Sequence, residues 1–225
     1  MAFAPIKASA KGGKDFEPIP AGVHMAICTQ VIDLGWQPQT GKYPAPKHQV
    51  YLKFEIPDHQ VTWTKDGKEH TGPGTIGRKF GLSLTEKSHL RPFLTGWRGK
   101  EFTAEELEGF DIGSVIGKIC QLNVIHEKGE NNGKTYAKIA GAFALVKEQR
   151  AALAKDPSRA KPSTELLVYS PDAHDPGIYD QLPEWIQKMI DERVEDPAMT
   201  LSERRTEDDQ SPSTATEDFN DDLPF

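Results

Sequence analysis

The chain is poor in cysteine. Of 225 residues only Cys28 and Cys120 are cysteines, far apart and with no C-x-x-C pair, so neither a zinc knuckle nor a dithiol redox motif is available. Both lie among apolar residues and are expected to be buried, reduced thiols. No run of 18 apolar residues occurs, so no membrane-spanning helix is expected. Residues 1–14 are rich in Ala, Lys and Gly and lack the apolar stretch of a signal peptide, so a cytoplasmic location is expected. The seven histidines are scattered, with no H-x-x-x-H spacing, and no metal or cofactor is expected. No nucleophile–base constellation is visible either. Asp33, Glu55 and Asp58 are the only carboxylates placed as a metal-dependent nuclease would need them, and a non-enzymatic protein is expected. At 36% the apolar fraction is low for a fully packed chain, which implies a real core with unpacked segments attached.

Excess positive charge is also missing. The net charge of −7 argues against a nucleic-acid partner until its distribution is read. Residues 1–150 carry 20 Lys and Arg against 16 Asp and Glu, whereas residues 151–225 carry 7 against 18. The densest basic stretch, residues 34–100, has 11 against 5. A basic body therefore bears an acidic appendage, an asymmetry that keeps a polyanionic partner in play.

Alternation predicts five strands. The first covers residues 23–34. The second, 48–56, turns Val50, Leu52, Phe54 and Ile56 to one face and Tyr51 and Lys53 to the other. The third covers 75–84. A helical interlude follows, with Thr85 capping a helix over 86–95 and a Thr103/Glu106 capping box opening one over 104–110. The fourth strand covers 117–127. After an Asn132-Gly133 turn, the fifth covers 134–146, with Ile139, Phe143 and Leu145 on its core face and Tyr136 and Lys138 on the other. Three strands, a helix and a hairpin are the order of a five-stranded OB-type barrel in a mainly β protein, with another small barrel or sandwich as the competing fold. The domain plan is then an unstructured N-terminus over 1–14, the barrel over 15–147 and a Pro/Ser/Asp-rich connector over 148–182 with a possible short strand at 165–169. An amphipathic helix over 183–194 and an acidic disordered tail over 195–225 complete it.

The non-core face of this barrel interleaves aromatic and cationic side chains. Tyr51 with Lys53 on the second strand and Tyr136 with Lys138 on the fifth are expected on neighbouring strands. Trp36, Lys42, Tyr43 and Lys47 crowd the loop after the first strand. Trp63, Arg78 and Lys79 lie near the third, and Lys128 and Lys134 in the last hairpin. Rings that stack on bases and cations that neutralise phosphates are what a single strand requires. Two near-motifs fail on context. Gly72-Pro73-Gly74-Thr75-Ile76-Gly77 fits G-x-G-x-x-G but precedes a strand, not a helix. Residues 129–135 resemble a phosphate loop one residue short and precede a strand as well.

The last five residues, Asp221-Asp222-Leu223-Pro224-Phe225, are the most specific signal. Average residue usage yields such an ending on the order of once in 10⁵ chains. It resembles the C-terminal peptide of bacterial single-stranded DNA-binding proteins, and the plan of a barrel with an acidic tail is similar to that of phage-encoded single-stranded DNA-binding proteins. The usual Gly/Gln-rich linker is absent. The resemblance implies sequence-independent binding of single-stranded DNA in replication, recombination or repair, with the tail recruiting partner proteins and homo-oligomers possible. The chemistry of such an ending is local: the Phe225 ring fills an apolar pocket, its carboxylate pairs with a cation at the pocket mouth, and Asp221 and Asp222 steer toward basic surfaces. The rival reading is an interaction module whose barrel docks protein; it would need an apolar, weakly charged barrel face.

Overall fold

The computed structural model describes residues 18–198 apart from 42–43, 66–67 and 130–132. Five strands, β1 (Gly22–Gln37), β2 (Lys47–Lys65), β3 (Lys68–Gly81), β4 (Ile119–Lys128) and β5 (Thr135–Phe143), form one antiparallel path in the order β3-β2-β1-β4-β5. A short sixth strand, β6 (Leu167–Tyr169), joins β1 in parallel. The protein is thus mainly β. β1 is its spine: residues 22–27 pair with β4, while the rest pairs with β2 on one side and, over Gln30 to Ile32, with β6 on the other.

Alternation along β1 and β2 separates two cores. On one face Val50, Leu52, Phe54 and Ile56 of β2 meet Cys28 and Val31 of β1 and Cys120, Leu122 and Val124 of β4. The helix α1 (Leu90–Arg98) closes this core with Leu90, Phe93, Leu94 and Trp97, and the Trp97 indole N–H donates to the Ile119 carbonyl at 3.0 Å. Burial pushes the Cys28 thiol up to about 12 and raises that of Cys120, so both remain protonated and unreactive. On the opposite face Ile32 and Leu34 of β1 meet Leu167 and Tyr169 of β6 and Leu182, Ile186 and Ile190. The last two belong to α5 (Glu184–Asp191), which packs on the same chain's sheet. Met189 packs partly buried against this contact, and Trp185 and Val194 are exposed at its rim.

Several sequence expectations shift for identifiable reasons. α1 begins at Leu90, not at Glu86, because Pro92 has no N–H and is tolerated only in a helix's first turn. The Ser88 hydroxyl, not Thr85, accepts an N–H there, that of Arg91 at 3.2 Å. The Thr103/Glu106 box is present, but its helix α2 (Ala104–Glu108) is one turn long. Phe143 does not face the core. An irregularity between Asn123 and Val124 in the β4–β5 register leaves Ala140 unpaired, so the phase reverses: Ala142 is buried and Phe143 is exposed. β2 and β3 run further than alternation suggested, as a paired ribbon that includes Gly72, Pro73 and Gly74. β3 ends at Gly81, leaving Leu82 and Leu84 as partly buried neighbours of the core. The stretch read as a connector holds α3 (Lys147–Lys155), β6 and α4 (Pro176–Tyr179). Residues 1–14 and the tail beyond 198 lie outside the described residues. Among the described residues no helix is long and apolar enough to cross a membrane.

Candidate nucleic-acid interface

The glycines of the G-x-G-x-x-G look-alike are seats for aromatic rings. A Cβ on Gly77 would stand 2.0 Å from the Tyr51 hydroxyl oxygen, one on Gly74 would stand 2.8 Å from His59 Cδ2, and one on Gly72 would stand 3.1 Å from Trp63 Cη2. Each ring of β2 therefore lies across β3 where a side chain is missing. That is why three glycines sit inside a strand whose entropy they worsen. Trp63 also stacks on His70, its cross-strand partner, with centroids 5.8 Å apart and planes 17° from parallel, and it is 41% exposed. On β5 the Phe143 ring lies beside Gly141 of its own strand, 3.7 Å from where a Cβ would stand.

Tyr51 and Lys53 lie on the non-core face, as expected, but that face is covered. The Trp185 ring meets Tyr51 edge-on at 5.1 Å, and burial raises the Tyr51 pKa. Burial lowers the Lys53 pKa, with Glu55 partly opposing it. Glu55, 1% exposed, accepts from the Ser163 amide (2.9 Å), the Ser163 hydroxyl (2.8 Å) and the Thr164 hydroxyl (3.2 Å), which pins the approach to β6 onto β2. The Lys79 ammonium, though exposed, lies 3.7 Å from Met189 Sδ of α5.

Arg78 points to the core side. Its Nη1 donates to the carbonyls of Ile139 (2.8 Å) and Ala140 (3.4 Å), and its guanidinium sits 4.7 Å over the Phe80 ring. It spans from β3 to β5, the two ends of the sheet path, and burial lowers its pKa. Tyr136 and Lys138 lie on the outer face of β5, four strands along the path from β3 and not beside β2, so the expected adjacency to Tyr51 and Lys53 does not hold. Tyr136 is 46% exposed, and Lys138 pairs with Glu127 across the hairpin. Lys128 ends β4, and the Lys134 carbonyl accepts from the Gly129 amide at 2.8 Å where the hairpin turns. Lys47 is exposed at the start of β2. Lys42 and Tyr43, and Asp221, Asp222, Leu223, Pro224 and Phe225, lie outside the described residues.

Trp36 and His48 line a pocket of about 360 Å³ at the end of β1, shared with Asp33, Asp172, Arg193 and Asp196. Their rings are 5.4 Å apart, and the Val194 amide donates to the Trp36 carbonyl at 2.8 Å. His48 Nε2 lies 2.7 Å from Asp33 Oδ1. That hydrogen bond raises the His48 pKa, burial opposes it, and the charges of Asp33, Asp172 and Asp196 add to the rise. A raised histidine stabilises the fold fully below its unfolded pKa of about 6.5, and this stability is lost as pH rises through the folded value. The melting temperature is therefore expected to fall as pH is raised from about 6.5, and His48→Gln should flatten the profile. A wild-type profile flat over that range would mean the pair contributes nothing.

Asp33, Glu55 and Asp58 do not converge. The first pairs with His48 and the second with Ser163 and Thr164, while the third accepts a two-pronged contact from Arg159 at 2.9 and 3.0 Å. Among the described residues no three acidic, histidine or cysteine side chains group as a metal site would require. Sequence reasoning missed Phe143 as an exposed ring, and the Gly141 two residues before it was the available signal. No protein-family model matches this chain, and no curated protein matches it significantly.

Proposed function

We propose that this chain binds single-stranded DNA without sequence preference on an OB-type barrel, as phage proteins of replication, recombination and repair do, and brings partners to the strand through its acidic C-terminal residues. The observation that carries the reading is the strand path. β3-β2-β1-β4-β5, with α1 and α2 inserted between β3 and β4, becomes the OB order when β3 and β5 are brought together. Arg78 reaches between those two strands. The basic body and the exposed Trp63 and Tyr136 rings supply the phosphate and base contacts such a surface needs. No catalytic step is required of any residue.

Titration with fluorescent oligo-dT and with a matched duplex, at about 50 mM and 200 mM salt, tests the reading. Single strands should bind more tightly than duplex, and affinity should fall with salt as counterion release demands. Equal binding of both would remove the stacking argument. The same titration on a chain lacking residues 206–225, which hold seven acids and no Lys or Arg, reports on the tail. Removing it brings the net charge from −7 to zero, so affinity should rise, most at low salt where screening is weakest. Unchanged affinity at every salt concentration would leave the tail a recruiting role alone.

A further inference from the structure

Of the β2–β3 face that an OB-type barrel ordinarily offers to a strand, the part around Tyr51 and Lys53 is covered here. Seven buried side chains, Ile32, Leu34, Leu167, Tyr169, Leu182, Ile186 and Ile190, join α5 and β6 to the adjoining β1, and Tyr51 of β2 packs against them. The sheet continues beyond the cover, however. Residues 22–27 of β1 with β4 and β5 present a second outer face. Val23 is 60% exposed there, Phe143 49% and Tyr136 46%, and Ile125 stands opposite Lys138.

Such apolar exposure on a sheet calls for a partner, and its borders say which kind. Residues 118–150 carry six Lys and Arg against three Asp and Glu. Lys128 and Lys134 stand at the hairpin end, beyond Tyr136. Lys147 and Arg150 stand on α3 just past Phe143, and α3 is held to this face by the Gln121–Gln149 side-chain bond at 2.5 Å. The centre is low, made of Asn123 and Gly141, with the Phe143 ring beside that glycine. From Phe143 to Tyr136 is seven residues, roughly 23 Å of strand, enough for a few extended nucleotides. Rings at both ends, a low middle and cations beyond each ring suit a polyanion with stackable bases better than a protein surface.

We infer that the single strand lies on this β1–β4–β5 face, stacking on Phe143 and Tyr136 with Lys138 between them, and not on Tyr51 and Lys53. This rests on the single-strand reading above. The test is oligo-dT titration of the full chain carrying Phe143→Ala, Tyr136→Ala, Lys138→Glu or Tyr51→Ala, with melting temperature recorded for each. The two outer ring deletions should each weaken binding about 5- to 150-fold, the range for one lost base stack, at little cost in melting temperature. Lys138→Glu should weaken binding and reduce its salt dependence. Tyr51→Ala should lower the melting temperature and leave the affinity of the folded protein unchanged. Hydrogen exchange with and without oligo-dT gives a readout independent of any variant: protection should appear in β4 and β5 and not in residues 47–55. If the wild-type chain binds no oligonucleotide, both readings fall. If it binds, but binding survives loss of both outer rings or protection falls on residues 47–55, only the placement falls.

Discussion

Replacing Ile186 and Ile190 together with alanine should leave a chain without a cooperative melting transition at physiological temperature. Both are essentially unexposed, at 0% and 1%, and both fill the space between α5 and β1. Each truncation in a closed core costs about 2–5 kcal/mol. The residues are one helical turn apart and share neighbours, so the two losses will not add simply. Even the lower sum of about 4 kcal/mol is a large share of the net stability of a domain. The outcome separates two pictures of the C-terminal region. If it is an appendage, the double variant should keep the sheet's melting transition and its compactness by light scattering. If the second core is integral, as the packing on Ile32 and Leu34 indicates, far-UV and near-UV signals should be lost together, with aggregation following.

Arg78→Ala should lower the melting temperature by roughly 5–15 °C, the shift expected of about 2–4 kcal/mol in a chain of this size. The substitution removes charge-assisted hydrogen bonds to two β5 carbonyls and the cation over Phe80, and it leaves the half-buried Ile139 carbonyl without that donor. Arg78→Lys should recover only part of the loss, because an ammonium lacks the planar guanidinium that lies over Phe80 while one nitrogen reaches the carbonyls. The alternative role, expected from the sequence, is a phosphate contact. That role would give the opposite pattern: an unchanged melting temperature, weaker oligonucleotide binding and a smaller salt dependence.

What the sequence made legible depended on periodicity. Val50, Leu52, Phe54 and Ile56 alternate without interruption, and their face was readable. Phe143 was not, because one unpaired residue reverses the phase and a bulge leaves no mark in a pattern of apolar positions. Gly72-Pro73-Gly74 reads locally as a turn. It is strand because Trp63 and His59 need the empty space, a reason that lies on the neighbouring strand. Pro92 stood in plain view and restricts the start of α1, yet the capping pattern pointed to Glu86, four residues too early. The covering of Tyr51 was beyond local reading. It depends on Trp185 and on Ser163 meeting Glu55, contacts between residues more than 100 apart. For the candidate site, exposed aromatic–cation pairs were legible as a set. Which of them face solvent was decided by the segment that follows β5.

The parallel pairing of β1 with β6 has a consequence for synthesis. Ile32 and Leu34 are made early, and their cover, Ile186 with Ile190, about 150 residues later. At about 5–20 residues per second the ribosome takes roughly 8 to 30 seconds to travel between them. Throughout that interval the nascent sheet carries a bare aliphatic strip, beside a β1 edge that has no neighbour until β6 emerges. A nascent chain whose β5 has left the ribosome and whose α5 has not would therefore hold out a finished antiparallel sheet with an adhesive side. Trigger-factor-like holdases should engage this chain longest in that window, and synonymous changes that slow translation there should increase its aggregation without altering one residue of the product.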